Sequence, residues 1–589
     1  MQATSTGNRF QANKTSFFST LAEALDYAAQ GQTGYNFYSG KGKLITALPY
    51  DTLRSEAKIL AKKFNHLGVT RGARMALVAN THPDFVRFFF ACQYAGITPV
   101  PLPAQIQLGG HNAYVTQLAR LLSICRPDLA MATEDFFPFL TEAAEKLNFL
   151  FLGSPKDYDS LPEADTPPHP VEPTDLAYLQ YTSGSTRFPR GVMITQRAVL
   201  NNLSAIIKQG LRIRPGDRAV SWLPFFHDMG LVGLLLAPMA CQISVDYLST
   251  RDFAMRPRLW LKLMSENRAT ISFSPPFGYD LVSRCLRDNE PQPYDLSAWR
   301  VAGVGAEMIR TESLETFAHI LKHCGFTARS FLPCYGMAEC SLAVCFGELG
   351  NGVQVDCVDA NLLANQNRAI PVAATKDNHE GRFNTFVNCG EPLPGYEISV
   401  RDPNGQALPE RHCGELFLRG PSVMSGYFGD LKATQDVLSR DNWLNTGDKA
   451  YKIGDCVVIT GRQKDLIIIN GRNIWPQDIE FLVESHPEIR TMDALAFSVP
   501  GPKGEEVAVI MIQCRLTDPQ KRADLVDYVR RLVREELGID SLIELVPRNT
   551  IPRTTSGKPS RSGARKEYLK RFAENQVDGC DEKRRAEAC

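Results

Sequence analysis

The sequence lacks the features that mark secreted, membrane and nucleic-acid-binding proteins. Its 65 basic and 65 acidic residues give no net charge, so no bulk field favours nucleic acid or a membrane surface. The longest apolar run, 229–240, is too short to span a bilayer, and the polar segment 1–13 lacks the apolar core of a signal peptide. We therefore expect a cytoplasmic protein with no nucleic-acid partner and no integral membrane contact.

Motifs for several kinds of chemistry are also missing. The fifteen cysteines are scattered without a Cys-x-x-Cys pair, which indicates reduced thiols rather than a disulfide framework. The absence of His-Glu-x-x-His argues against zinc, and the absence of Gly-x-Ser-x-Gly argues against a serine hydrolase. The turn 303–308 has Met308 where a dinucleotide fingerprint needs its third glycine, so we reject a Rossmann interpretation.

The length and the pattern of the chain predict an α/β protein of more than one domain. A chain of 589 residues is too long for one core. The pattern predicts helices at 51–67 and 82–94 and strands at 74–80 and 96–102. This alternation predicts a layered α/β domain with parallel strands. Short strands at 397–402, 414–419 and 456–460 predict a small β subdomain. We expect a large N-terminal domain over 1–463, a small mobile α+β domain over 464–573 and a polar tail over 574–589.

The loop 182–191, between predicted strands at 175–181 and 192–195, has four hydroxyls, two glycines and two arginines. Glycine allows backbone N–H groups to approach an anion, hydroxyls add donors and arginine adds positive charge, which suits a phosphate chain. The loop has no Gly-Lys-[Ser/Thr] ending, so it is not a Walker A loop. A plain polar hairpin loop is the alternative.

Further stretches follow this loop in order. In 335–339 the aromatic ring of Tyr335 could stack on adenine, and the carboxylate of Glu339 could hold Mg²⁺. A core tyrosine and a capping glutamate are the alternative. Asn-Thr-Gly-Asp ends at Asp448, and Gly-Lys ends at Lys558. Together these stretches resemble the adenylate-forming superfamily, which includes acyl-CoA synthetases, peptide-synthetase adenylation domains and luciferases.

The resemblance covers nearly the whole chain and implies ATP and Mg²⁺ as cofactors, with Glu339 as the metal ligand. Asp448 would accept the ribose hydroxyls, and Lys558 would contact the carboxylate and the α-phosphate during adenylation. His227 and Arg462 would be further catalytic residues, and Lys464 would sit at the hinge between domains. The expected ATP or AMP contacts are Thr182, Ser183, Gly184, Ser185, Thr186, Arg190, Gly305, Ala306, Glu307, Tyr335, Gly336, Met337, Asp448 and Arg462.

A histidine beside an aspartate lies between a predicted strand and a very apolar helix at 231–239. Taken alone, this stretch reads as a loop with a polar break. By the resemblance it borders the acyl and phosphate side of the site, where His227 would position the substrate rather than attack it. The expected acyl contacts are His227, Asp228, Met229 and Gly230.

Within the superfamily, the sequence looks most like a fatty acyl-AMP ligase. Such ligases carry an insertion where this chain has the long segment 345–386, and Arg187 replaces the glycine of many relatives. Arg190 replaces a lysine and keeps its charge but not its shape. The resemblance implies that a fatty acid is activated to acyl-adenylate and passed to the phosphopantetheine of an acyl carrier protein, whose docking the basic stretch 548–571 would suit.

Three alternatives stay open. A full acyl-CoA synthetase is the first, and a non-catalytic protein that holds acyl-adenylate or lipid is the second. The third is an amino-acid adenylation domain, although no aspartate is securely placed to grip an amino group and the apolar helix 231–239 suits an alkyl chain better.

Overall fold

A computed structural model describes residues 18–104, 110–165, 171–182, 189–286, 293–373, 383–469, 472–490, 492–501, 506–553 and 559–571. Five predicted site residues lie outside the described residues: Ser183, Gly184, Ser185, Thr186 and Lys558. The predicted tail 574–589 also lies outside them. In the part of the chain that is described, every helix is too short or too polar to cross a bilayer.

A nine-stranded sheet forms the centre of the molecule, and its six middle strands, from the third to the eighth in the order below, run parallel. Because their carboxyl ends meet at one edge, the loops that follow them are brought together there. In spatial order the strands are β17 (Glu391–Pro392), β14 (Ala343–Phe346), β13 (Phe331–Gly336), β12 (Val301–Val304), β11 (Ile271–Ser274), β9 (Arg218–Ser221), β10 (Ser244–Leu248), β1 (Gly34–Tyr38) and β2 (Leu44–Pro49).

A second, four-stranded sheet is parallel throughout. Separately, an antiparallel pair of strands lies on either side of the loop that the sequence predicts to bind phosphate. The sheet consists of β4 (Thr98–Leu102), β3 (Arg74–Val78), β5 (Leu129–Met131) and β6 (Phe151–Gly153). The pair consists of β7 (Leu176–Thr182) and β8 (Arg190–Thr195), with Thr182 opposite Arg190 in register.

Helices cover these sheets because their apolar faces need burial. The predicted helix at 82–94 is typical: His82 caps it, a proline follows, and it ends at Gly96 with φ of 70°. The helices up to residue 321 are α1 (Leu21–Ala28), α2 (Tyr50–His66), α3 (Pro83–Ala95), α4 (Gly110–Cys125), α5 (Phe137–Ala144), α6 (Pro155–Asp159), α7 (Gln196–Ala205), α8 (Ala237–Ala240), α9 (Thr250–Met255), α10 (Arg258–Glu266), α11 (Pro276–Cys285) and α12 (Thr311–Leu321).

The long segment 345–386, whose sequence shows few periodic features, contains regular structure. It forms an antiparallel pair, β15 (Val355–Asp359) and β16 (Phe383–Val387), with helix α13 (Ala360–Gln366) after the first strand. We call the described residues 355–373 and 383–387 the insertion. The sequence did not reveal these elements because they are short and half-exposed, so they carry little hydrophobic periodicity.

The predicted small β subdomain is confirmed as a four-stranded antiparallel sheet. It contains β18 (Glu397–Arg401), β19 (Gly414–Arg419), β20 (Leu444–Ile453) and β21 (Cys456–Arg462), with α14 (Leu431–Val437) before the third strand. The third strand was not predicted. Its first half is Leu-Asn-Thr-Gly-Asp, which resembles a turn more than a strand.

The C-terminal part of the chain has a core of its own. Two apolar clusters are built from residues of the range 467–564 alone. The elements are β22 (Ile467–Ile469), β23 (Arg472–Ile474), α15 (Pro476–Glu484), β24 (Ala494–Pro500), β25 (Glu506–Gln513), α16 (Pro519–Leu537) and β26 (Ser541–Val546). A large N-terminal α/β part followed by a small α+β part confirms the predicted fold class.

Candidate active site

Two adjoining cavities, of about 340 and 520 Å³, open where the strands of the central sheet end. Both lie at the carboxyl ends of β12 and β13, where ligands bind in open α/β sheets. We call them the smaller and the larger cavity. They form one cleft because they share the wall residues Ala306, Cys334, Tyr335, Gly336, Met337 and Arg462.

Three predicted residues from different elements meet in the smaller cavity. The Tyr335 hydroxyl, at the end of β13, donates a 2.7 Å hydrogen bond to Oδ2 of Asp448 on β20. Nε of Arg462, at the end of β21, lies 3.4 Å from Oδ1 of Asp448. Burial raises the pKa of Asp448, and the charge of Arg462 acts against that rise. The arrangement presents a carboxylate acceptor beside an aromatic ring and a cation.

The turn after β12 forms another wall of the cleft. Ala306 and Glu307 line the smaller cavity, and Ala306 adopts a φ of 67°, a conformation that non-glycine residues rarely hold outside special sites. Gly305 lies behind this wall, since a Cβ there would lie 2.6 Å from the carbonyl oxygen of Cys334. A side chain at Gly305 would therefore push the two strand ends apart.

The predicted metal ligand lies in the larger cavity and has a partner that the sequence did not indicate. Oε1 of the buried Glu339 accepts a 2.9 Å hydrogen bond from Tyr427, and the Arg190 guanidinium lies 5.0 Å from the centre of the Tyr427 ring. Burial raises the pKa of Glu339, and the Tyr427 hydrogen bond lowers it. Tyr427 is held there because its segment bridges to Val192 on β8. Tyr427 thus joins Glu339 to Arg190.

The predicted acyl residues do not all reach the cleft. His227, Asp228 and Met229 line the larger cavity, and Nδ1 of His227 lies 2.7 Å from Oδ1 of Asp228. Gly230 serves packing instead, since a Cβ there would lie 2.2 Å from the carbonyl oxygen of Pro224. The apolar helix predicted over 231–239 begins two residues earlier, as a π-helix, Met229–Leu236. Such wide turns often occur at functional sites.

The larger cavity has an apolar end, for which the sequence indicated only the helix 231–239. Its walls there are Ile206, Leu211, Gly233, Phe273, Leu342, Ala343 and Phe346. The Phe346 ring rests on Gly210, because a Cβ at Gly210 would lie 2.7 Å from that ring. The same cavity is also lined by the polar side chains of Thr182, Arg190 and Lys464. One cavity therefore contains both polar groups and an apolar pocket that suits an alkyl chain.

The family comparison agrees with this geometry. A family model described as AMP-binding enzyme matches residues 26–428. The chain belongs to the AMP-binding enzyme family. Enzymes of this family use ATP, and the chain is an AMP-forming ligase.

Several individual proteins resemble this AMP-binding enzyme along nearly their whole length. A putative acyl-CoA synthetase of Caulobacter vibrioides is 43% identical, with 94% of this chain and 96% of the relative covered. A medium-chain-fatty-acid–[acyl-carrier-protein] ligase of Moorena producens is 32% identical, with 94% and 95% covered. A solved structure from a study of fatty acyl-adenylate ligases of E. coli and L. pneumophila is 46% identical, with a TM-score of 0.90 and 95% and 99% covered.

The sequence did not predict a group of charged residues in the wall of the smaller cavity. They lie where the C-terminal part of this AMP-binding enzyme meets that cavity. Arg310, before α12, pairs with Glu484 of α15 at 2.5 Å. Arg561 lies 2.7 Å from Glu480 and 3.3 Å from Asp465. All five residues line the cavity. No sequence signal distinguished them, because lone charged residues in a charged segment are usually solvated.

Proposed function

We propose that the protein activates a fatty acid with ATP and transfers the acyl group to the phosphopantetheine thiol of an acyl carrier protein. In the first step a carboxylate oxygen attacks the α-phosphorus in line. The bond from that phosphorus to the bridging oxygen breaks, and pyrophosphate leaves. In the second step the thiol sulfur attacks the acyl carbon and AMP leaves. The observation that carries the proposal is the larger cavity, whose walls combine an apolar pocket with polar and charged side chains.

The described residues of the cleft fall into two groups, one that contacts the nucleotide and one that contacts the fatty acid. Asp448 accepts the ribose hydroxyls, and Tyr335, the turn at Ala306 and Glu307, and Met337 border the adenine. Thr182 and Arg190 hold the phosphates from the side of the larger cavity, and His227 orients the carboxylate. Because little covalent chemistry falls to the protein, its contribution is positioning and charge compensation. Lys558 supplies charge at the carboxylate and α-phosphate.

Glu339 fits the role of a magnesium ligand. Mg²⁺ takes oxygen ligands and is usually held by one or two carboxylates together with substrate phosphates. Glu339 presents a buried carboxylate to the cavity that also contains Arg190 and Thr182. Among the described residues no group of three or more His, Cys, Asp or Glu could hold a metal alone. Magnesium would neutralise phosphate charge when it arrives bound to ATP.

The choice of carrier protein over CoA rests on the insertion. Val358, Leu363 and Phe386 share a buried apolar cluster with Leu466 and Trp475, which lie just beyond the proposed hinge Lys464. This contact fastens the insertion to the start of the C-terminal domain. A domain held there turns less freely from the adenylation arrangement into the one in which CoA would react.

Two side-chain hydrogen bonds reinforce this contact. Asn384 donates to Asp478 at 3.0 Å, and Asn473 donates to Asn367 at 3.1 Å. Both bonds link the insertion to the C-terminal part of the chain. Their loss would loosen the contact without opening a cavity in the apolar cluster.

Pyrophosphate release tests the first step. Saturated acids from hexanoic to hexadecanoic acid should each be compared with phenylalanine and with no acid. We expect release with the fatty acids alone. Equal release with phenylalanine would favour amino-acid adenylation, and no release with any acid would support a non-catalytic protein.

A variant tests the role of the insertion. In Asn384→Ala/Asn473→Ala we expect acyl-CoA formation to rise relative to wild type while pyrophosphate release stays within about twofold. The matched control is Asn351→Ala, whose side chain bonds Glu348 within the N-terminal part. Abundant acyl-CoA from the wild-type enzyme would instead support an acyl-CoA synthetase, as the Caulobacter relative is described.

A further inference from the structure

Arg561 makes an ion-pair network unlike the surface pairs elsewhere in the C-terminal part. Its Nη2 donates to both oxygens of Glu480, at 2.8 and 2.7 Å, and its Nη1 lies 3.3 Å from Oδ2 of Asp465. The Arg561 side chain is 18% exposed, and that of Glu480 is 6% exposed. By contrast, the side chains of Arg534 and Asp540, which also pair, are 67% and 77% exposed. A buried pair of this kind fixes its partners far more firmly than an exposed one.

Both acidic residues that hold Arg561 also make a hydrogen bond that involves the backbone. Glu480 lies on α15, and its Oε1 also accepts a 3.0 Å hydrogen bond from the backbone N–H of Ala496 on β24. Asp465 follows the proposed hinge directly, and its N–H donates to the carbonyl of Arg462 at 3.2 Å. Arg561 therefore ties its own segment both to the body of the C-terminal part and to the hinge.

The same network continues to the nucleotide side of the cleft. Arg462 lies beside Asp448, which accepts the Tyr335 hydrogen bond. The residues of this series and the segment 559–562 all line the smaller cavity. A continuous path of contacts thus joins Arg561 to the residues proposed to hold ATP, although Arg561 itself pairs with neither Asp448 nor Tyr335.

We propose that Arg561 is a positioning residue for adenylation, which holds the segment 559–562 against the nucleotide cavity by its joint grip on Asp465 and Glu480. The proposal rests on the proposed function, in which Lys558, the residue before this segment, serves the adenylation step. Without Arg561 the segment loses its side-chain tie to Asp465 and Glu480. ATP still meets Asp448, Tyr335 and Arg462, so its affinity is retained while the rate of adenylation falls.

The test separates positioning from simple stability by removing the pair in two ways. Arg561→Gln leaves Glu480 buried without its cation, which destabilises the fold. Arg561→Gln/Glu480→Gln removes both charges, so much of the lost stability returns. We expect the single variant to have a lower melting temperature and a rate of ATP–pyrophosphate exchange reduced about 100-fold, the scale of a 1 Å misplacement. The double variant should regain melting temperature but not rate, with ATP affinity within about threefold of wild type in both.

Arg534→Gln is the matched control, since it removes an arginine and an exposed pair in the same part of the chain. It should leave both rate and melting temperature near wild type. The exchange assay uses whichever carboxylic acid the wild-type enzyme accepts, so a wrong assignment of the fatty acid or of the carrier protein does not affect this test. A double variant whose rate recovers together with its melting temperature would overturn the proposal, as would a single variant that retains wild-type rate.

Discussion

The hydroxyl of Tyr335 donates to the buried carboxylate of Asp448 across 113 residues of sequence, at 2.7 Å. One oxygen of Asp448 is thereby oriented by the phenol, while the other faces Arg462. A carboxylate held from two sides is pre-organised to accept hydroxyl donors from a ligand. Tyr335 accordingly contributes to the site through its hydroxyl as well as through its ring.

Asp448→Asn should weaken ATP binding. The amide keeps the shape but loses the charge, and hydrogen bonds to charged groups contribute about 1.5–3 kcal/mol, so we expect the ATP dissociation constant to rise about 10- to 100-fold. Isothermal titration calorimetry measures it. The control is Asp356→Asn, because Asp356 also accepts a tyrosine hydrogen bond, from Tyr451 at 2.6 Å, outside both cavities. Unchanged ATP affinity in Asp448→Asn would rule out the ribose role.

Tyr427→Phe should shift the acid limb of the pH–rate profile to higher pH. Burial already raises the pKa of Glu339, and the Tyr427 hydrogen bond counters that rise. Removing the hydroxyl raises the Glu339 pKa further, so the carboxylate becomes protonated at a higher pH and binds Mg²⁺ less well. The measurement is kcat/KM against pH, with the magnesium concentration for half-maximal rate at each pH. The control is Tyr451→Phe, which removes a hydroxyl that donates to Asp356. It should leave the acid limb and the magnesium requirement unchanged. An unmoved acid limb in Tyr427→Phe would show that Glu339 does not set it.

Lys558→Ala should abolish most adenylation while sparing ATP binding. If this lysine compensates charge that develops between carboxylate and α-phosphate, its loss should slow pyrophosphate release about 100-fold or more. Single-turnover release and ATP calorimetry measure the two properties separately. Near-normal pyrophosphate release would remove Lys558 from the mechanism.

Gly233→Leu should shorten the preferred acyl chain. Among the described residues only Leu342 lies within 4 Å of a Cβ built at Gly233, at 3.1 Å, so a larger side chain there would point into the apolar end of the larger cavity. Each methylene kept out of the pocket costs about 0.8 kcal/mol of burial. We expect the preference for dodecanoic over hexanoic acid to fall at least about tenfold. Retained turnover of hexanoic acid is the internal control, and an unchanged preference would contradict the assigned pocket.

The sequence predicted the fold well where periodicity was strong. The predicted helix at 82–94 and strand at 96–102 match α3 and β4 within two residues at every boundary. The π-helix Met229–Leu236 was not predicted, because an all-apolar run has no face that reveals its period. The sequence around Asp448 resembles a turn, yet Asp448 lies on β20, where pairing with β21 brings Arg462 opposite it.

The sequence alone predicted the motifs of the site one by one. Only the family resemblance predicted that they belong to one site. Their meeting at one sheet edge follows from topology, since β12 and β13 end side by side. Tyr427 and Arg561 could not be found this way. Each is an ordinary aromatic or basic residue until its three-dimensional neighbours, Glu339 and Glu480, are known.

We propose that the protein activates a fatty acid for transfer to a carrier protein and not to CoA. Mass spectrometry of the reaction products tests this proposal. The enzyme is incubated with ATP, Mg²⁺ and dodecanoic acid, with and without CoA. We expect dodecanoyl-adenylate that persists when CoA is present. Abundant dodecanoyl-CoA would contradict the proposed acceptor and leave the adenylation site intact, and the absence of both products would contradict the proposed activation itself.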